Sequence, residues 1–372
     1  PAIDVAFPVV DCAALAAIFG LPAFARPAYA VIWTTTPWTL PANQAVCAHP
    51  DHAYDLVQTP RGILILAHDL AEAALKRYGF DAVEVLATRP GRALEHLALR
   101  HPFHDRAVPL ILGAHVTLDA GTGLVHTAPA HGLEDYFAGL EYHLSADCPV
   151  GGDGRFLPGE TLVGGLSVWE ANPRVIAALD ANGLLLHQEK LSHSYPHCWR
   201  HKTPIIFRAT RQWFIRMDVN PKEEGGGMKD EKNPSEGHHP SSFTPHPSSL
   251  SNTTLREAAM KAVESTRFFP SWGRARLEAM IRGRPDWCVS RQRYWGVPMP
   301  FFLQRENGTL HPRTLELLEE VAQRVEKTGI EAWFSLDAAE LLGDEASLYE
   351  KVGDTLDVWF DSGVSHACVL KQ

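Results

Sequence analysis

The feature that most constrains this chain is a low-complexity segment that divides it into two parts. Residues 221–252 contain five prolines, six serines and four glycines, and their only large apolar residues are Met228, Phe243 and Leu250. Such a composition buries too little apolar surface to offset the conformational entropy lost on ordering. We therefore predict a disordered insertion, with one folded part before about residue 220 and another after about residue 252.

The rest of the chain has the composition of a globular protein. Of its 372 residues, 45% are hydrophobic and 21% are charged, which is enough apolar material for two or three packed domains. No run of about 18 apolar residues is present, so we expect no membrane span and no membrane partner. The first residues lack a basic region and a cleavage signature, which predicts no secretory signal and a cytoplasmic location.

Charge and cysteine content narrow the class of protein further. The net charge is −10, which argues against holding nucleic acid by bulk charge alone and leaves a local basic face open. Six scattered cysteines without a Cys-x-x-Cys pair indicate neither a disulfide scaffold nor a four-thiolate zinc site, and they suit a reducing compartment. The chain opens on Pro1 and stops at Gln372 directly after an apolar run, so we expect it to be part of a longer protein.

Both strands and helices are predicted before the insertion. Apolar periodicity predicts three strands, Ala30–Thr35, Tyr54–Gln58 and Gly62–Ala67. The pair Asp69 and Glu72 resembles a capping box and predicts a helix that ends at Gly79. A second helix is expected to carry Pro173 in its first turn and to end at residues 182–183.

The remaining pattern completes a mixed architecture. Strand-like spacing of Val, Leu, Thr and Gly over residues 108–126 favours an α+β domain with a barrel-like sheet. Beyond the insertion, residues 253–265 and 314–327 have the pattern of amphipathic helices, and short apolar runs at 298–302 and 356–360 predict strands.

The first motif with chemical potential is the peptide WTTTPWTLPAN at residues 33–43. Pro37 and Pro41 end the preceding strand and fix the backbone, which leaves hydroxyl and amide groups facing outward from a rigid loop. A threonine-rich strand edge would explain three threonines alone, but the continuation to asparagine favours a binding loop. The candidate site residues here are Thr34, Thr35, Thr36, Thr39 and Asn43.

A second motif, GTGLVHTAPAHGLEDY, occupies residues 121–136. A glycine-rich strand carries His126, and the turn that follows delivers Asp135, so the two side chains are expected to face one pocket. A carboxylate can hold an ammonium group, and a histidine can bond a ribose hydroxyl or orient water. The structural alternative is a core histidine together with an aspartate that caps a helix.

A third motif, SHSYPHCWRHKTP at residues 192–204, contains Cys198 and His201 at the spacing of metal ligands. A structural zinc needs four ligands, and the sequence offers no matching second pair. A packed polar turn is therefore favoured, and no metal site is predicted.

Arginines and aromatic residues alternate after the insertion. Six arginines occur from Arg274 to Arg293, interleaved with Trp287, Tyr294 and Trp295. This combination is typical of phosphate and base recognition, although a solvated helix face would explain the arginines equally well. Residues 354–363, DTLDVWFDSG, have the pattern of a strand that ends in polar residues at a glycine, where α/β sheets bind ligands.

Taken in order, these motifs closely resemble those of the isoleucyl-tRNA synthetases, which are class I aminoacyl-tRNA synthetases. The resemblance covers the chain except for residues 221–252. It is carried by TTTPW, by GTGLVH with the following Asp-Tyr, and by SYPHCWRHKTP, WCVSRQRYWG and DVWFDSG. Valyl and leucyl relatives resemble Thr-Thr-Arg-Pro at the first of these motifs. The resemblance implies α/β and α+β architecture: a β-barrel-like editing domain at residues 1–190, a connection at 191–220, and part of a Rossmann-type catalytic domain at 253–372.

The resemblance also implies roles for the candidate residues. In the family, the editing domain hydrolyses tRNA(Ile) mischarged with valine, because a hydrophobic pocket discriminates poorly against one missing methylene, as is established for this very family. Asp135 would hold the α-ammonium group, and the threonines, Asn43 and His126 would shape the small pocket and place water. Trp295 would form a wall of the isoleucine pocket. Glu134 is a departure, since an aspartate is more usual there.

Cofactors and partners are implied in the same way. The family's two ATP motifs, His-Ile-Gly-His and Lys-Met-Ser-Lys-Ser, do not occur in this chain. The resemblance therefore implies ATP and Mg²⁺ for a full-length enzyme, and for this piece editing alone, without a cofactor or zinc. The expected partners are tRNA(Ile) with isoleucine and valine as amino-acid moieties, and the expected state is a monomer. Two alternatives stay open: a truncated, non-catalytic tRNA-binding remnant, and a valyl- or leucyl-type editing region.

Overall fold

The structure is a computed structural model that describes residues 1–81, 83–219, 253–293 and 295–370. The predicted insertion at 221–252 lies outside these residues. The chain forms two compact units, Pro1–Thr210 and Arg211–Gln372. The finer domain boundaries expected at residues 190, 220 and 252 remain predictions.

The first unit carries ten strands and four helices among its described residues. The strands are β1 (Ala2–Pro8), β2 (Ala28–Thr34), β3 (Ala45–Ala48), β4 (Ala53–Thr59), β5 (Gly62–Ala67), β6 (Glu84–Pro90), β7 (Ala98–Arg100), β8 (Ala107–Leu112), β9 (Leu124–Thr127) and β10 (Leu185–Glu189). The helices are α1 (Cys12–Phe19), α2 (His68–Arg77), α3 (Leu133–Glu141) and α4 (Val168–Ala181), and 3₁₀ turns cover Pro37–Ala42 and Gly91–Leu94. The predicted mixture of strands and helices is confirmed, and the three strands predicted first fall in β2, β4 and β5.

Two sheets form the frame of this unit. One has the strand order β10-β1-β2-β5-β4-β6 and the other β7-β8-β3-β9. β2 with β5 and β3 with β8 are parallel pairs, and the other pairs are antiparallel. The sheets are linked where Val10 N donates to Ala98 O and where Ala67 N donates to Thr122 O, each at 2.9 Å. These two contacts connect the sheets as in a barrel, but the described strands form two separate sheets and not a closed barrel.

One apolar core fills the space between the two sheets. Ile32 of β2 and Val46 of β3 belong to it, together with residues of α1 and α4. The outer faces of the central strands are covered as well, since Val31 packs against α2 and Cys47 packs against Ala138 of α3. Because both faces are buried, these strands are apolar throughout instead of alternating.

Two helix starts differ from the prediction. α2 begins at His68 with Ala67 as its N-cap, so Asp69 lies within the first turn and forms no capping box. α4 begins at Val168 because Ser167 and Glu170 form a reciprocal capping box, and Pro173 lies inside the helix. Such a box satisfies two backbone N–H groups at the helix start, which a proline further along cannot do.

The second unit carries six strands and six helices among its described residues. The strands are β11 (Phe214–Ile215), β12 (Trp287–Cys288), β13 (Ser290–Arg291), β14 (Phe302–Gln304), β15 (Tyr349–Lys351) and β16 (Thr355–Leu356). The helices are α5 (Leu255–Ser265), α6 (Trp272–Arg282), α7 (Thr314–Thr328), α8 (Glu331–Phe334), α9 (Ala339–Leu342) and α10 (Val358–Ser365), with a 3₁₀ turn at Gly343–Leu348 and a π-helical turn at His366–Leu370. No helix in the described ranges is long and apolar enough to cross a bilayer.

The strands of the second unit form three antiparallel pairs, β11 with β12, β13 with β16 and β14 with β15. The two predicted amphipathic helices are confirmed as α5 and α7. Of the strand predicted at 298–302, only Phe302 belongs to a strand, β14. Of the strand predicted at 356–360, only Leu356 belongs to a strand, β16. Residues 358–360 are helical, because Asp357 Oδ1 accepts from Trp359 N at 3.1 Å and so caps the start of α10.

The residues that flank the insertion are held together within the second unit. Arg256 N donates to Met217 O at 2.9 Å, and the Arg256 guanidinium donates to the Asp218 carboxylate at 2.6 and 2.7 Å. The same guanidinium donates to the carbonyl oxygens of Ile281 and Arg284 at the end of α6. We call these contacts the Arg256 clamp. The two flanks of the undescribed stretch therefore lie side by side.

Candidate active site

The first unit contains a cavity of about 490 Å³ between the end of β2, the turn before β9 and the start of α3. The predicted residues Thr34, Thr35 and Asp135 line it. The other lining residues are Trp33, His115, Thr117, Asp119, Ala120, Gly121, Thr122, Gly123, Leu124, Val125 and Glu134. Two motifs that lie far apart in the sequence therefore meet at one cavity.

The sheet topology explains why these motifs meet. β2 ends at Thr34 in one sheet, the 3₁₀ turn Pro37–Ala42 follows, and β3 then enters the other sheet. β9 pairs antiparallel with β3, with His126 opposite Val46. The 3₁₀ turn and β9 consequently become neighbours.

Hydroxyl groups of the threonine-rich loop form a chain of hydrogen bonds. Thr34 Oγ1 accepts from Thr36 N at 3.1 Å and lies 3.3 Å from Thr36 Oγ1. Thr39 Oγ1 lies 3.4 Å from Thr36 Oγ1 and donates to Thr36 O at 2.8 Å. When the Thr36 hydroxyl is the donor of the 3.3 Å bond to Thr34 Oγ1, the Thr34 O–H is available to donate to a ligand in the cavity.

His126 lies behind the cavity wall and is only 7% exposed. Its Nε2 is 2.7 Å from Thr39 Oγ1, and its Nδ1 is 3.3 Å from Asn43 Nδ2. Since the Thr39 hydroxyl donates to Thr36 O, Nε2 must donate its proton to Thr39, and Nδ1 must accept from Asn43. Burial, aided by the nearby His131, lowers the pKa of His126 to about 4. The imidazole ring is therefore neutral near pH 7, with its proton on Nε2.

This placement of His126 differs from the expectation that its side chain faces the pocket. Both ring nitrogens bond protein groups, and the cavity lining does not include the ring. Thr36, Thr39 and Asn43 lie behind the wall in the same way, and Asn43 is fully buried. The seven candidate residues thus divide into three that line the cavity and four that support its wall.

Asp135 lies in the first turn of α3, where its Oδ2 accepts from Ala128 N at 2.9 Å. Burial raises the pKa of Asp135, whereas the Ala128 N–H and the nearby His115 act to lower it. A Cβ at Gly132 would lie 3.1 Å from Oδ2, so the glycine leaves the room that this carboxylate occupies. With Oδ2 bonded to the backbone, Oδ1 is the oxygen that can accept from a cationic ligand.

Two glycines shape the wall opposite α3. Gly121 and Gly123 have φ angles of 85° and 76°, a region that favours glycine. A Cβ at Gly123 would lie 2.2 Å from Ala67 Cβ, and one at Gly121 would lie 2.9 Å from Trp33 Cβ. The Gly-Thr-Gly sequence is therefore required by the backbone conformation and by close packing against β2 and β5.

Sequence reasoning missed several residues of the cavity wall, among them Trp33, His115, Thr117 and Asp119. Trp33 could have been found, because it directly precedes Thr34 at the end of a predicted strand. His115 and Asp119 lie in the irregular stretch between β8 and β9, which has no periodicity from which a side-chain direction follows.

A second group of missed residues supports the 3₁₀ turn from behind. His101 Nε2 donates to Leu40 O at 3.0 Å, while its Nδ1 accepts from two backbone N–H groups. The Arg106 guanidinium donates to Pro41 O at 3.3 Å and to Asn43 O at 2.5 Å. Burial lowers the pKa of His101 to about 3, with His104 contributing. The carbonyl groups at the end of the turn are thus satisfied without water.

The other sequence candidates lie outside this cavity. Trp295 belongs to the second unit and is 80% exposed, and its place in an isoleucine pocket stays a prediction. Cys198 Sγ lies 3.3 Å from His201 Nδ1. Over the residues that the structure describes, no group of three or more His, Cys, Asp and Glu side chains could hold a metal ion.

In the second unit, an ion pair joins the two remaining motifs. Arg291 Nη2 lies 2.6 Å from Asp357 Oδ2, and Trp287 Nε1 donates to the same oxygen at 3.2 Å. Asp357 also caps α10. Its carboxylate therefore holds residues 287–291 of the first motif against the start of α10, which carries the second motif.

Comparison with known proteins gives a consistent result. A family model of class I tRNA synthetases (I, L, M and V) matches residues 26–372. The isoleucine–tRNA ligase of Thiobacillus denitrificans is 63% identical over 373 residues, which cover 100% of this chain and 38% of that protein. That of Chromobacterium violaceum is 60% identical over 372 residues, covering 100% and 37%. The chain thus spans little more than a third of the length of the curated relatives it matches.

Two solved structures overlap with part of the chain. The crystal structure of GlLeuRS-CP1 is 12% identical with a TM-score of 0.42, and the overlap covers 53% of this chain and 100% of that one. The P. knowlesi cytosolic leucyl-tRNA synthetase editing domain is 11% identical with a TM-score of 0.33, covering 36% and 60%. These TM-scores are too low to carry a conclusion.

Proposed function

From the premise that the chain belongs to the class I tRNA synthetases, which the match over residues 26–372 shows, we propose that it is part of an isoleucine–tRNA ligase and carries a hydrolytic editing site. Identities of 63% and 60% to two isoleucine–tRNA ligases support this choice within the class. On this proposal, the cavity beside Thr34 and Asp135 removes valine from mischarged tRNA(Ile).

The cavity is the observation that carries the proposal. It sets the Thr34 and Thr35 side chains on one wall and the Asp135 carboxylate on another. An aminoacyl ester presents an α-ammonium group, a carbonyl oxygen and a ribose hydroxyl. A carboxylate binds the first of these strongly, and hydroxyl donors suit the other two. A volume of about 490 Å³ accommodates such a group.

Hydrolysis in this cavity needs no protein nucleophile. A water molecule adds to the ester carbonyl carbon, the bond from that carbon to the ribose oxygen breaks, and a proton from the water passes to the ribose oxygen. The products are free amino acid and uncharged tRNA. Asp135 holds the amino group and so fixes the ester, and the Thr34 hydroxyl donates to the oxygen on which charge develops.

His126 acts in this proposal as a positioning residue. Its pKa of about 4 and its two protein partners leave no proton to give to a substrate near pH 7. It holds the Thr39 hydroxyl, which in turn bonds the backbone of Thr36 and keeps the loop in one conformation. Rigid support of this kind keeps donor groups aligned before the substrate arrives.

For the whole protein, we propose ATP- and Mg²⁺-dependent charging of tRNA(Ile) with isoleucine. Valine as the amino acid removed, action as a monomer and a cytoplasmic location belong to the same proposal. The hydrolytic steps above use only residues of the first unit.

The test is deacylation of two charged tRNAs by the 372-residue chain. On the proposal, valyl-tRNA(Ile) should be hydrolysed and isoleucyl-tRNA(Ile) should be spared. Equal rates on both substrates would contradict an editing site for valine. A folded chain that binds tRNA without hydrolysing either ester would favour a non-catalytic remnant.

A further inference from the structure

His131 is a histidine of the first unit to which the proposed hydrolysis gives no role. It lies in the turn at residues 128–132, between β9 and α3, and its Nδ1 is 2.9 Å from Phe207 O. Because a carbonyl oxygen only accepts, Nδ1 carries the proton and is the donor. Burial lowers the pKa of His131, the bond to Phe207 O opposes this shift and Arg208 adds to it. The ring is therefore neutral near pH 7, and its donor stays directed at Phe207.

Phe207 belongs to residues 205–209, near the end of the first unit, and we call this stretch the strap. Ala209 N donates to Ala130 O at 2.7 Å, so the strap bonds the turn a second time. Ile206, on the other side of Phe207, packs against the core between the two sheets. Because the strap is held on both sides of Phe207, its carbonyl oxygen is a fixed acceptor for the His131 ring.

The His131 ring also packs against the 3₁₀ turn Pro37–Ala42. Its centroid lies 4.9 Å from that of the Trp38 ring, and the two planes meet edge to face at 75°. Trp38 is buried, and its backbone N donates to Asn172 Oδ1 of α4 at 3.0 Å. His131 therefore connects three segments that are distant in the sequence: the 3₁₀ turn, the strap and the turn before α3.

The turn that carries His131 also places the Asp135 carboxylate. His131 N donates to Ala128 O at 2.8 Å, and Ala128 N donates to Asp135 Oδ2 at 2.9 Å. Pro129 lies close to α3, since a Cβ at Gly139 would be only 2.8 Å from Pro129 Cγ. A shift of the turn would therefore move the donor that holds Oδ2, and with it the direction in which Oδ1 faces the cavity.

We infer that His131 is a positioning residue for Asp135: its bond to the strap fixes the turn that directs the carboxylate at the α-ammonium group of the ester. The inference rests on the proposed function and deepens it, because it makes esters with a cationic α-amino group the substrates that depend on this bond. His131 touches no reacting atom and acts only through Asp135. Small displacements of a binding group are costly, since a charge-assisted bond requires close and well-aligned partners.

The test compares two esters of tRNA(Ile) in single-turnover hydrolysis by the full chain. One carries valine, and the other carries 2-hydroxy-3-methylbutanoate, which has the shape of valine but a neutral hydroxyl in place of the ammonium group. His131→Phe keeps a ring beside Trp38 and loses the donor to Phe207 O. Hydrolysis of the valyl ester should become about 3- to 10-fold slower, the effect of one lost hydrogen bond. Hydrolysis of the hydroxy ester should hardly change.

Matched variants separate positioning from general damage to the fold. His131→Asn places an amide N–H near the position of Nδ1 and should restore most of the valyl rate. His193→Phe removes another bond from a histidine Nδ1 to a carbonyl oxygen, that of Ser194 at 2.9 Å, at an exposed site outside the turn, and should behave like the wild type. The double variant His131→Phe/Asp135→Asn should be no slower on the valyl ester than Asp135→Asn, because the first residue acts through the second.

Four results would overturn the inference: equal slowing of both esters in His131→Phe, a wild-type valyl rate in that variant, a His131→Asn variant as slow as His131→Phe, or additive losses in the double variant. Each of them presupposes a wild-type chain that hydrolyses the valyl ester, so the proposed function would stand. A wild-type chain that hydrolyses neither ester would instead contradict the proposed function, and the role of His131 would fall with it.

Discussion

The Thr39 hydroxyl lies 2.7 Å from Nε2 of His126, a residue 87 positions further along the chain. This bond connects the threonine-rich loop with β9, and the bond from Asn43 to Nδ1 fixes the other side of the same ring. The three side chains are buried together, so the orientation of the loop depends on which ring nitrogen carries the proton.

Thr39→Val should therefore affect both stability and activity. The substitution keeps the shape of the side chain but leaves the Nε2 proton of His126 without an acceptor in a buried site. We expect a loss of about 1–3 kcal/mol in the free energy of unfolding, together with slower hydrolysis of valyl-tRNA(Ile). Urea denaturation and deacylation rates measure the two effects. Thr39→Ser keeps the hydroxyl and should retain most of both, so a serine variant as damaged as the valine variant would argue against this bond.

Asp135→Asn tests the amino-group contact. The asparagine can still accept from Ala128 N, so the fold should be preserved while the negative charge is lost. Losing a charge-assisted bond costs about 1.5–3 kcal/mol, which corresponds to roughly a ten- to hundredfold lower rate of hydrolysis. The measurement is single-turnover deacylation of valyl-tRNA(Ile).

The control for this variant follows from the structure. The neighbouring acidic residue Glu134 lines the cavity and is therefore unsuitable as a control. Glu141 ends the same helix and is exposed, so Glu141→Gln should deacylate at the wild-type rate. If Asp135→Asn matched Glu141→Gln, the assignment of the ammonium contact to Asp135 would be wrong.

Gly123→Ala should disrupt the turn that forms one cavity wall. The new Cβ would meet Ala67 Cβ at 2.2 Å, and the φ of 76° is strained for alanine. Backbone strain alone costs about 1–3 kcal/mol, so a lower melting temperature and weaker hydrolysis are expected. Gly152→Ala is the matched control, because a Cβ there meets nothing within 4 Å. Similar melting temperatures for the two variants would contradict the packing argument.

Stability of the first unit should fall as the pH is lowered below about 6.5, the pKa of an unfolded histidine. Burial lowers the pKa of His126 to about 4 and that of His101 to about 3. As the pH falls, histidines in the unfolded chain therefore bind protons before the buried rings do. The free energy of unfolding is highest above about pH 6.5, and it decreases as the pH falls from there to the folded pKa of each ring. Each ring adds a slope of about 1.4 kcal/mol per pH unit.

Urea denaturation at several pH values measures this dependence. His126→Gln should remove the slope due to His126 and leave those of His101, His104 and His131, whose pKa values are also lowered by burial. Asp135 acts in the opposite direction, because burial raises its pKa. A wild-type stability that did not change between about pH 6.5 and 5 would show that these rings are not kept neutral by burial.

Deleting residues 221–252 should change the melting temperature little. The Arg256 clamp already holds the flanking residues together, and closure entropy depends only weakly on loop length. Differential scanning calorimetry of the deletion variant gives the measurement. A large drop in the melting temperature would mean that the deleted residues pack against the protein.

Sequence periodicity predicted the strands and helices whose local pattern agrees with their packing. β2, β4, β5, α5 and α7 were found in this way. The local pattern misleads where two signals compete. Pro173 suggests a helix start, although Ser167 and Glu170 form the capping box, and the apolar run after Asp357 conceals a helix N-cap.

The candidate site was predictable only in part. Its polar side chains occur in two short motifs, so Thr34 and Asp135 could be selected from the sequence alone. Which residues line the cavity and which support it depends on the pairing of β3 with β9, and single-sequence patterns do not give this register. The contacts of His101 and Arg106 with the 3₁₀ turn join residues more than 60 positions apart, and no local signal indicates them.

The Arg256 clamp also makes the protein a host for engineering. The clamp holds the chain segments before and after residues 220–252 next to each other. The two termini of many small folded proteins also lie close together, so such a protein could be inserted here. A fluorescent reporter spliced between Val219 and Thr253 would be tethered at both ends without separating Met217 from Arg256. Such a fusion would label the second unit internally while leaving the cavity of the first unit unaltered.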